Sequence, residues 1–481
     1  MLKKAFQKLI SSLNWEGNIS AFIQRTDWWL PLLLALLSSW GVAAIYSTGS
    51  LKEPILWEQG FARQQIIFVA LGWAVYWVVS LIDYKVFERY ARWLYIGGIV
   101  LLLPIAICAL GHFDLGTIIE LRGGARRWIT LGGPFNIQSS EIAKFTTLIM
   151  LSLIAGRGLV VGQLSKLELA AARVIRVFIP NKLAGTLPRY IPLIIRVAWM
   201  SFLPFALIFV QPDLASSLIY IPMAFALLFV ANVPLRFFAF IGALLLPLAA
   251  LLTVDMVRYG EALVAYQEAH PDSKNPAAGI RETFKDGILP MRNYQRERIM
   301  AFLRPELIDP SGSGATWQVR QAQIAIGQGS FSGEGFRQGM QARLGYLPEG
   351  AAHNDFLFSS IAEESGFIGG CSIIGLFALV IGITFRIAIK ARDRFGSCLA
   401  VGVAVIVALH VVINIGMNIG AMPVTGVPLP FLSYGGSFVL SCFLLFGLVQ
   451  SVHRSSQPLP AHNPDNADLL APSQLAGRAP V

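Results

Sequence analysis

Residues 353–385 read HNDFLFSSIAEESGFIGGCSIIGLFALVIGITF. About 20 mostly apolar residues cross the hydrocarbon core of a bilayer, so this run can span it with some tilt. It opens at a carboxylate, Asp355, and two more, Glu363 and Glu364, follow about two turns later. A carboxylate near the centre of a membrane helix costs roughly 2.5–3.5 kcal/mol. A cluster at the mouth of such a helix therefore asks for a function.

The rest of the chain has the same texture. Of 481 residues, 55% are hydrophobic and 14% are charged, against about 25% charged in soluble domains. Comparable apolar runs lie near 29–48, 65–82, 94–111, 141–156, 193–210, 214–231, 235–253, 398–418 and 435–453. With residues 357–385 they predict an all-α, polytopic integral membrane protein of about ten transmembrane helices. The expected organisation is a cytoplasmic amphipathic N-terminus (1–28), a transmembrane domain (29–453) and a disordered cytoplasmic tail (454–481). The first apolar run is of spanning length and lacks a small-residue cleavage site, so no cleavable signal is expected.

Lysine and arginine set the orientation. Lys3, Lys4, Lys8 and Arg25, the 157–192 loop, and Arg386, Lys390, Arg392 and Arg394 fall on one side if the N-terminus is cytoplasmic. An even number of spans then leaves the C-terminus inside as well. The net charge of +10 reads as topology and attraction to anionic lipid, and nucleic-acid binding is not expected. Trp28, Trp29, Trp57, Trp73, Trp77 and Trp93 read mostly as interface anchors. Cys108, Cys371, Cys398 and Cys442 stand singly and suggest neither a metal site nor a disulfide framework.

Several outer-side features break the bland pattern. The loop 112–140 is too polar to span, and its Arg122, Arg126 and Arg127 run against the positive-inside bias, which favours an anion site. Glu141 and Lys144 open the fourth span one helical turn apart, where they can pair for structural or functional ends. Asp213 follows a proline turn and suits a helix cap. The segment 254–355 is the one large extracytoplasmic loop, without strong apolar periodicity of its own. It holds an insert rich in turn formers, an amphipathic helix with Arg296 and Arg298, and glycines at 327, 329, 333, 335 and 339. Those glycines serve either as a linker or as a close backbone approach to an anion. The uncharged stretch 418–437, broken by prolines and glycines, reads as a re-entrant segment buried in protein. There is no P-loop, HExxH or GxSxG, which argues against ATP hydrolysis, zinc proteolysis and serine hydrolysis. The remaining chemistry suits a lipid-linked anionic substrate, with arginine holding phosphate and a carboxylate placed to take a proton.

In chain order the sequence shows GGARRWI with QSSEIAK, QPDL, YQRERI, QIAIG, GEGFRQGMQARLGYLPE, HNDFLF with AEE, and NIGMNIG with PVTGVPLPFLSYGG. Together these motifs resemble the SEDS family, the RodA/FtsW/SpoVE group, from about the third span to the tenth. The GxGxxxGxQ loop and the NIGM motif look more like RodA than FtsW. Ser139, Ala215 and Asn354 depart from the residues usual in the family and suggest a divergent lineage.

The resemblance implies a ten-helix peptidoglycan glycosyltransferase of the bacterial inner membrane. Such an enzyme polymerises lipid II and releases undecaprenyl pyrophosphate, in RodA-like cell-shape work. Asp355 is the catalytic residue it implies, with Trp128 and the Glu141–Lys144 pair in the substrate site; Arg126, Arg127 and Arg298 are added from their charge as pyrophosphate contacts. A class B penicillin-binding transpeptidase is the implied partner. No cofactor is certain, and a divalent cation is left open. A flippase for lipid-linked cell-wall precursor and a non-catalytic scaffold of a cell-wall complex are the alternatives.

Overall fold

A computed structural model describes residues 19–48, 56–111, 121–122, 125–126, 128–130, 136–158, 190–211, 213–271, 273, 276–281, 284–289, 291, 293–310, 312, 316–344, 346 and 352–457. The amphipathic N-terminal segment, most of the 157–192 loop and nearly all of the tail lie outside them. In chain order the helices are α1 (Ile19–Arg25), α2 (Trp29–Ser47), α3 (Leu56–Leu81), α4 (Tyr84–Gly111), α5 (Ser139–Arg157), α6 (Ile191–Val210), α7 (Leu214–Leu218), α8 (Tyr220–Val230) and α9 (Leu235–Ala269). Then follow α10 (Pro276–Ile280), α11 (Asn293–Leu303), α12 (Pro305–Ile308), α13 (Trp317–Gln328), α14 (Met340–Arg343), α15 (Leu357–Ile389), α16 (Arg394–Asn418) and α17 (Gly436–Ser456).

Among the described residues nine helices are long and apolar enough to cross a membrane: α2 to α6, α9 and α15 to α17. The tenth apolar run forms α7 and α8, a shorter pair joined through Ile219. The chain is thus all-α and polytopic, as its apolar runs predict. Helices α5, α16 and α17 are the innermost, and their polar residues follow from that place: Ser139, Ser140, Glu141, Lys144, His410, Asn414 and Gln450 are all buried. Helix α3 packs along α17, and α4 and α16 along α5. Trp73 and Trp77 stack at 6.4 Å and pack, partly buried, against the core, whereas Trp29 and Trp93 are exposed.

Two departures from the sequence reading concern the segment 254–355. Helix α9 does not stop near residue 253 but runs on to Ala269. A periodicity missed in the sequence explains it: Met256, Tyr259 and Leu263 recur every three to four residues and enter a second core with Ala277, Ile280, Met300 and Ile308. Helices α10, α11 and α12 close over this extension, so the insert contributes a docked helix. Inside, Arg296 and Asp255 form a buried ion pair at 2.8 Å. Asp255 also accepts from the amides of Ile288 and Leu289, and Arg296 donates to the carbonyl of Leu289 at 2.6 Å. Shared hydrogen bonds of this kind let a buried charge pair persist.

The second departure is the role of the glycine loop. Helix α15 is broken at Gly366, whose φ of 67° is left-handed. The break frees backbone groups, and the loop 329–335 supplies their partners. The carbonyls of Glu363 and Glu364 accept from the amides of Glu334 and Gly335, both at 3.0 Å. The amides of Phe367 and Ile368 donate to the carbonyls of Ser330 and Phe331 at 2.9 and 3.2 Å. Glycine is required by the closeness of this insertion, because a Cβ at Gly329 would stand 2.0 Å from the Ala362 carbonyl oxygen. The loop is therefore neither a free linker nor an anion cradle at these positions.

Glu363 and Glu364 belong to the same joint. Glu363 accepts from the Gln341 amide at 2.7 Å. Glu364 accepts from the Ser47 hydroxyl and, at 3.2 Å, from the Arg337 amide. Gly366→Ala should force either a strained φ or withdrawal of the loop, because its Cβ would meet the Gly333 nitrogen at 2.4 Å. The expected cost is about 2–4 kcal/mol, with new protease sensitivity across residues 329–341. Gly375→Ala on the same helix, which faces open space, should leave the melting temperature in detergent unchanged.

Candidate active site

Asp355 lies just before α15, and the peptide that carries it is held from three sides. The carbonyl of His353 accepts from the Tyr434 amide at 2.9 Å. The carbonyl of Asn354 accepts from the Ser433 hydroxyl at 2.6 Å. The carbonyl of Asp355 accepts from the side-chain amides of both Asn414 and Asn418, each at 2.9 Å. Three successive carbonyls are thus fixed by groups from α16 and from the irregular segment 419–435. Asn418 also accepts from the Ser359 amide at 3.2 Å and so caps α15 from a neighbouring helix.

The segment 419–435 has no regular secondary structure, and Val427, Leu429, Phe431, Leu432 and Ser433 are buried. It faces the Asp355 side chain through Gly426, where an added Cβ would stand 3.4 Å from Oδ2 and where φ is 72°. Asn414 donates to the Val427 carbonyl at 2.7 Å, so one side chain ties Asp355 to this wall. Asp355 is half-buried.

The second element is an intramembrane charge pair. Lys144 and Glu141 meet at 2.6 Å on α5, both less than 10% exposed. The Lys144 ammonium also lies 3.3 Å from Nε2 of His410 on α16. His410 Nδ1 is 3.1 Å from the Pro428 carbonyl oxygen, and its ring stacks on Phe438. His410, Asn414 and Asn418 are spaced four apart, so one face of α16 carries all three. None of the three is among the candidates named from sequence, although polar residues at that spacing in an apolar run are a usable signal.

The other candidates are placed less centrally. Trp128 is half-buried in a two-stranded sheet of β3 (Trp128–Thr130) and β4 (Asn136–Gln138), and its register partner is Gln138. The Gln138 amide donates to the Ser437 hydroxyl at 3.2 Å, which docks this hairpin on the start of α17. Strands β1 (Leu121–Arg122) and β2 (Ala125–Arg126) pair just before it, using the backbone of Arg126; Arg127 lies outside the described residues. Arg298 is exposed on α11, which packs on α9 and α12 rather than on the elements carrying Asp355. Asp213 caps α7 by accepting from the Ser216 amide at 3.3 Å. Among the described residues no three His, Cys, Asp or Glu side chains gather as a metal site would need.

His353, two residues before Asp355, is packed against Phe61 with ring centroids 4.9 Å apart. Its Nδ1 lies 2.7 Å from the Thr48 hydroxyl, which itself donates to the Ile45 carbonyl, so the ring nitrogen is the donor. Burial holds the imidazole below its ordinary value. The fold therefore prefers the neutral ring: this contribution is intact above the unfolded value near pH 6.5 and is lost as pH falls through the folded one. Thermal unfolding of His353→Gln should lose less stability than wild type between about pH 7 and pH 5.

The model of a cell cycle protein family comprising FtsW, RodA and SpoVE matches residues 27–458. A probable peptidoglycan glycosyltransferase FtsW of Trichlorobacter lovleyi is 31% identical over 425 residues, covering 88% of this chain and 92% of the relative. The peptidoglycan glycosyltransferase RodA of Treponema pallidum is 29% identical over 467 residues, covering 89% and 97%. A solved chain from a peptidoglycan synthase complex that coordinates polymerization and crosslinking superposes with a TM-score of 0.60 at 24% identity, covering 90% and 98%.

Proposed function

The chain belongs to the cell cycle protein family of FtsW, RodA and SpoVE, and from that membership we propose that it is a peptidoglycan glycosyltransferase polymerising lipid II. The observation that carries the reading is the clamp on residues 353–355. A general base must stand within about 3 Å of the proton it takes, and three fixed carbonyls hold the Asp355 backbone in place.

In the proposed reaction Asp355 takes the proton of the acceptor GlcNAc 4-hydroxyl as that oxygen attacks the anomeric carbon of the donor. The bond from that carbon to the lipid pyrophosphate breaks, and undecaprenyl pyrophosphate leaves with the electron pair. Trp128 and the Glu141–Lys144 pair are assigned to the substrate site. Arg126 and Arg127 are assigned to the pyrophosphate from their charge. Arg298 is assigned to the pyrophosphate from its charge alone, since α11 packs on α9 and α12 rather than on the elements carrying Asp355.

The GxGxxxGxQ loop and the NIGM motif favour a RodA-like role in elongation. The FtsW relative is 31% identical and the RodA relative 29%, so this role rests on those two motifs. The proposed placement is the inner membrane, with both termini cytoplasmic and residues 254–355 outside. A class B penicillin-binding transpeptidase is the proposed partner, in keeping with the synthase complex whose chain shares this fold.

Purified full-length protein with its cognate transpeptidase should convert lipid II to glycan chains resolved on a gel. Asp355→Asn should lower that rate by at least about 10²-fold while keeping the wild-type melting temperature and binding its partner. Polymer at the wild-type rate from this variant would remove Asp355 from the chemistry.

A further inference from the structure

Helix α16 joins the intramembrane charge pair to the wall that faces Asp355, and one side chain makes the junction. Lys144 is donor-only, so its contact to His410 Nε2 at 3.3 Å requires that nitrogen to accept. The Pro428 carbonyl is acceptor-only, so its contact to Nδ1 at 3.1 Å requires that nitrogen to donate. The two neighbours demand the same state, a neutral ring protonated on Nδ1. Glu141, at 2.6 Å from Lys144, holds the ammonium in place for this role.

The consequence reaches Asp355 through the backbone. Pro428 follows Val427, whose carbonyl is held by Asn414, and Val427 follows Gly426, which abuts the Asp355 carboxylate. The wall 426–428 is irregular and cannot support itself by its own ladder. Two α16 side chains, His410 and Asn414, hold consecutive carbonyls of it. Asn414 reaches the Asp355 peptide directly, whereas His410 is the contact that refers the wall to α5. We propose that His410 is a positioning residue for the polymerisation reaction, transmitting the placement of the Glu141–Lys144 pair to the wall opposite Asp355. This rests on the reading of Asp355 as the base. His410 does not touch the reacting atoms in the proposal, and it does not exchange a proton with substrate.

The role separates from a purely structural one by which replacement rescues it. A glutamine at 410 can donate to the Pro428 carbonyl through its amide and accept from Lys144 through its oxygen. A phenylalanine keeps the stack on Phe438 and makes neither bond. A displacement of about 1 Å in a catalytic constellation costs about 10²-fold in rate. In the lipid II assay with the full-length chain and its transpeptidase, H410F should lower kcat about 10–100-fold with KM changed less than about threefold. H410Q should keep at least about a third of wild-type kcat, and both should elute as monodisperse protein.

H410F with wild-type kcat overturns the proposal, and so does H410Q failing as badly as H410F, which would make the ring itself the requirement. If H410F and H410L are not recovered folded while H410Q is, His410 is a folding requirement and the positioning role falls. A wild-type protein that makes no polymer defeats the enzymatic reading first, whereas an active wild type with an indifferent H410F defeats only this one.

Discussion

Backbone groups that leave a helix among apolar surroundings must find hydrogen-bond partners inside the protein, because lipid offers none. Three such places cluster around α15 and the segment 419–435 among the described residues. At Gly366 the partners come from the glycine loop 329–335. Ahead of α15 they come from Tyr434, Ser433, Asn414 and Asn418. Along 426–428 they come from Asn414 and His410. An orphaned buried carbonyl costs about 1–3 kcal/mol, so each break persists only with its partner set complete. The rigidity around Asp355 is thus a product of the same constraint that keeps the bundle folded.

Charge inside the bundle obeys a related rule. Replacing a buried ion pair by apolar residues is often neutral, but removing one member costs about 3–5 kcal/mol. Glu141, Lys144 and His410 therefore behave as a unit, each satisfied by the next. Asp255 and Arg296 behave likewise in the second core, where the pair holds the backbone of Ile288 and Leu289 over the extension of α9. One pair lies at the start of α5 and the other in the second core. Neither needs to add stability to be useful, because each selects one arrangement among many.

The two cores also differ in what surrounds them. Helices α5, α16 and α17 are shielded on most sides, while α9 meets the bundle over little of its length and buries most of its contacts beyond residue 253. The second core is therefore carried on a helix whose first half buries little among the described residues. The clamp at Asp355 depends on α16 and the segment 419–435, and not on that second core.

The legible part of this protein was the part written in single residues and short periods. Spanning runs declare themselves by length, and Asp355, Glu141 and Lys144 declared themselves because charge beside lipid is expensive. The α9 extension was also readable, through Met256, Tyr259 and Leu263, and was overlooked because turn formers follow it. Pairings across long separations were not readable. Nothing local tells that Glu363 and Glu364 hold a loop while Asp355 faces Gly426, or that Arg296 meets Asp255 forty-one residues away. The sequence by itself determined an all-helical membrane bundle and its family motifs, because hydrophobicity acts residue by residue. Only the tertiary structure decided which polar groups satisfy one another, because a hydrogen bond depends on distance and direction that the chain acquires when its helices pack.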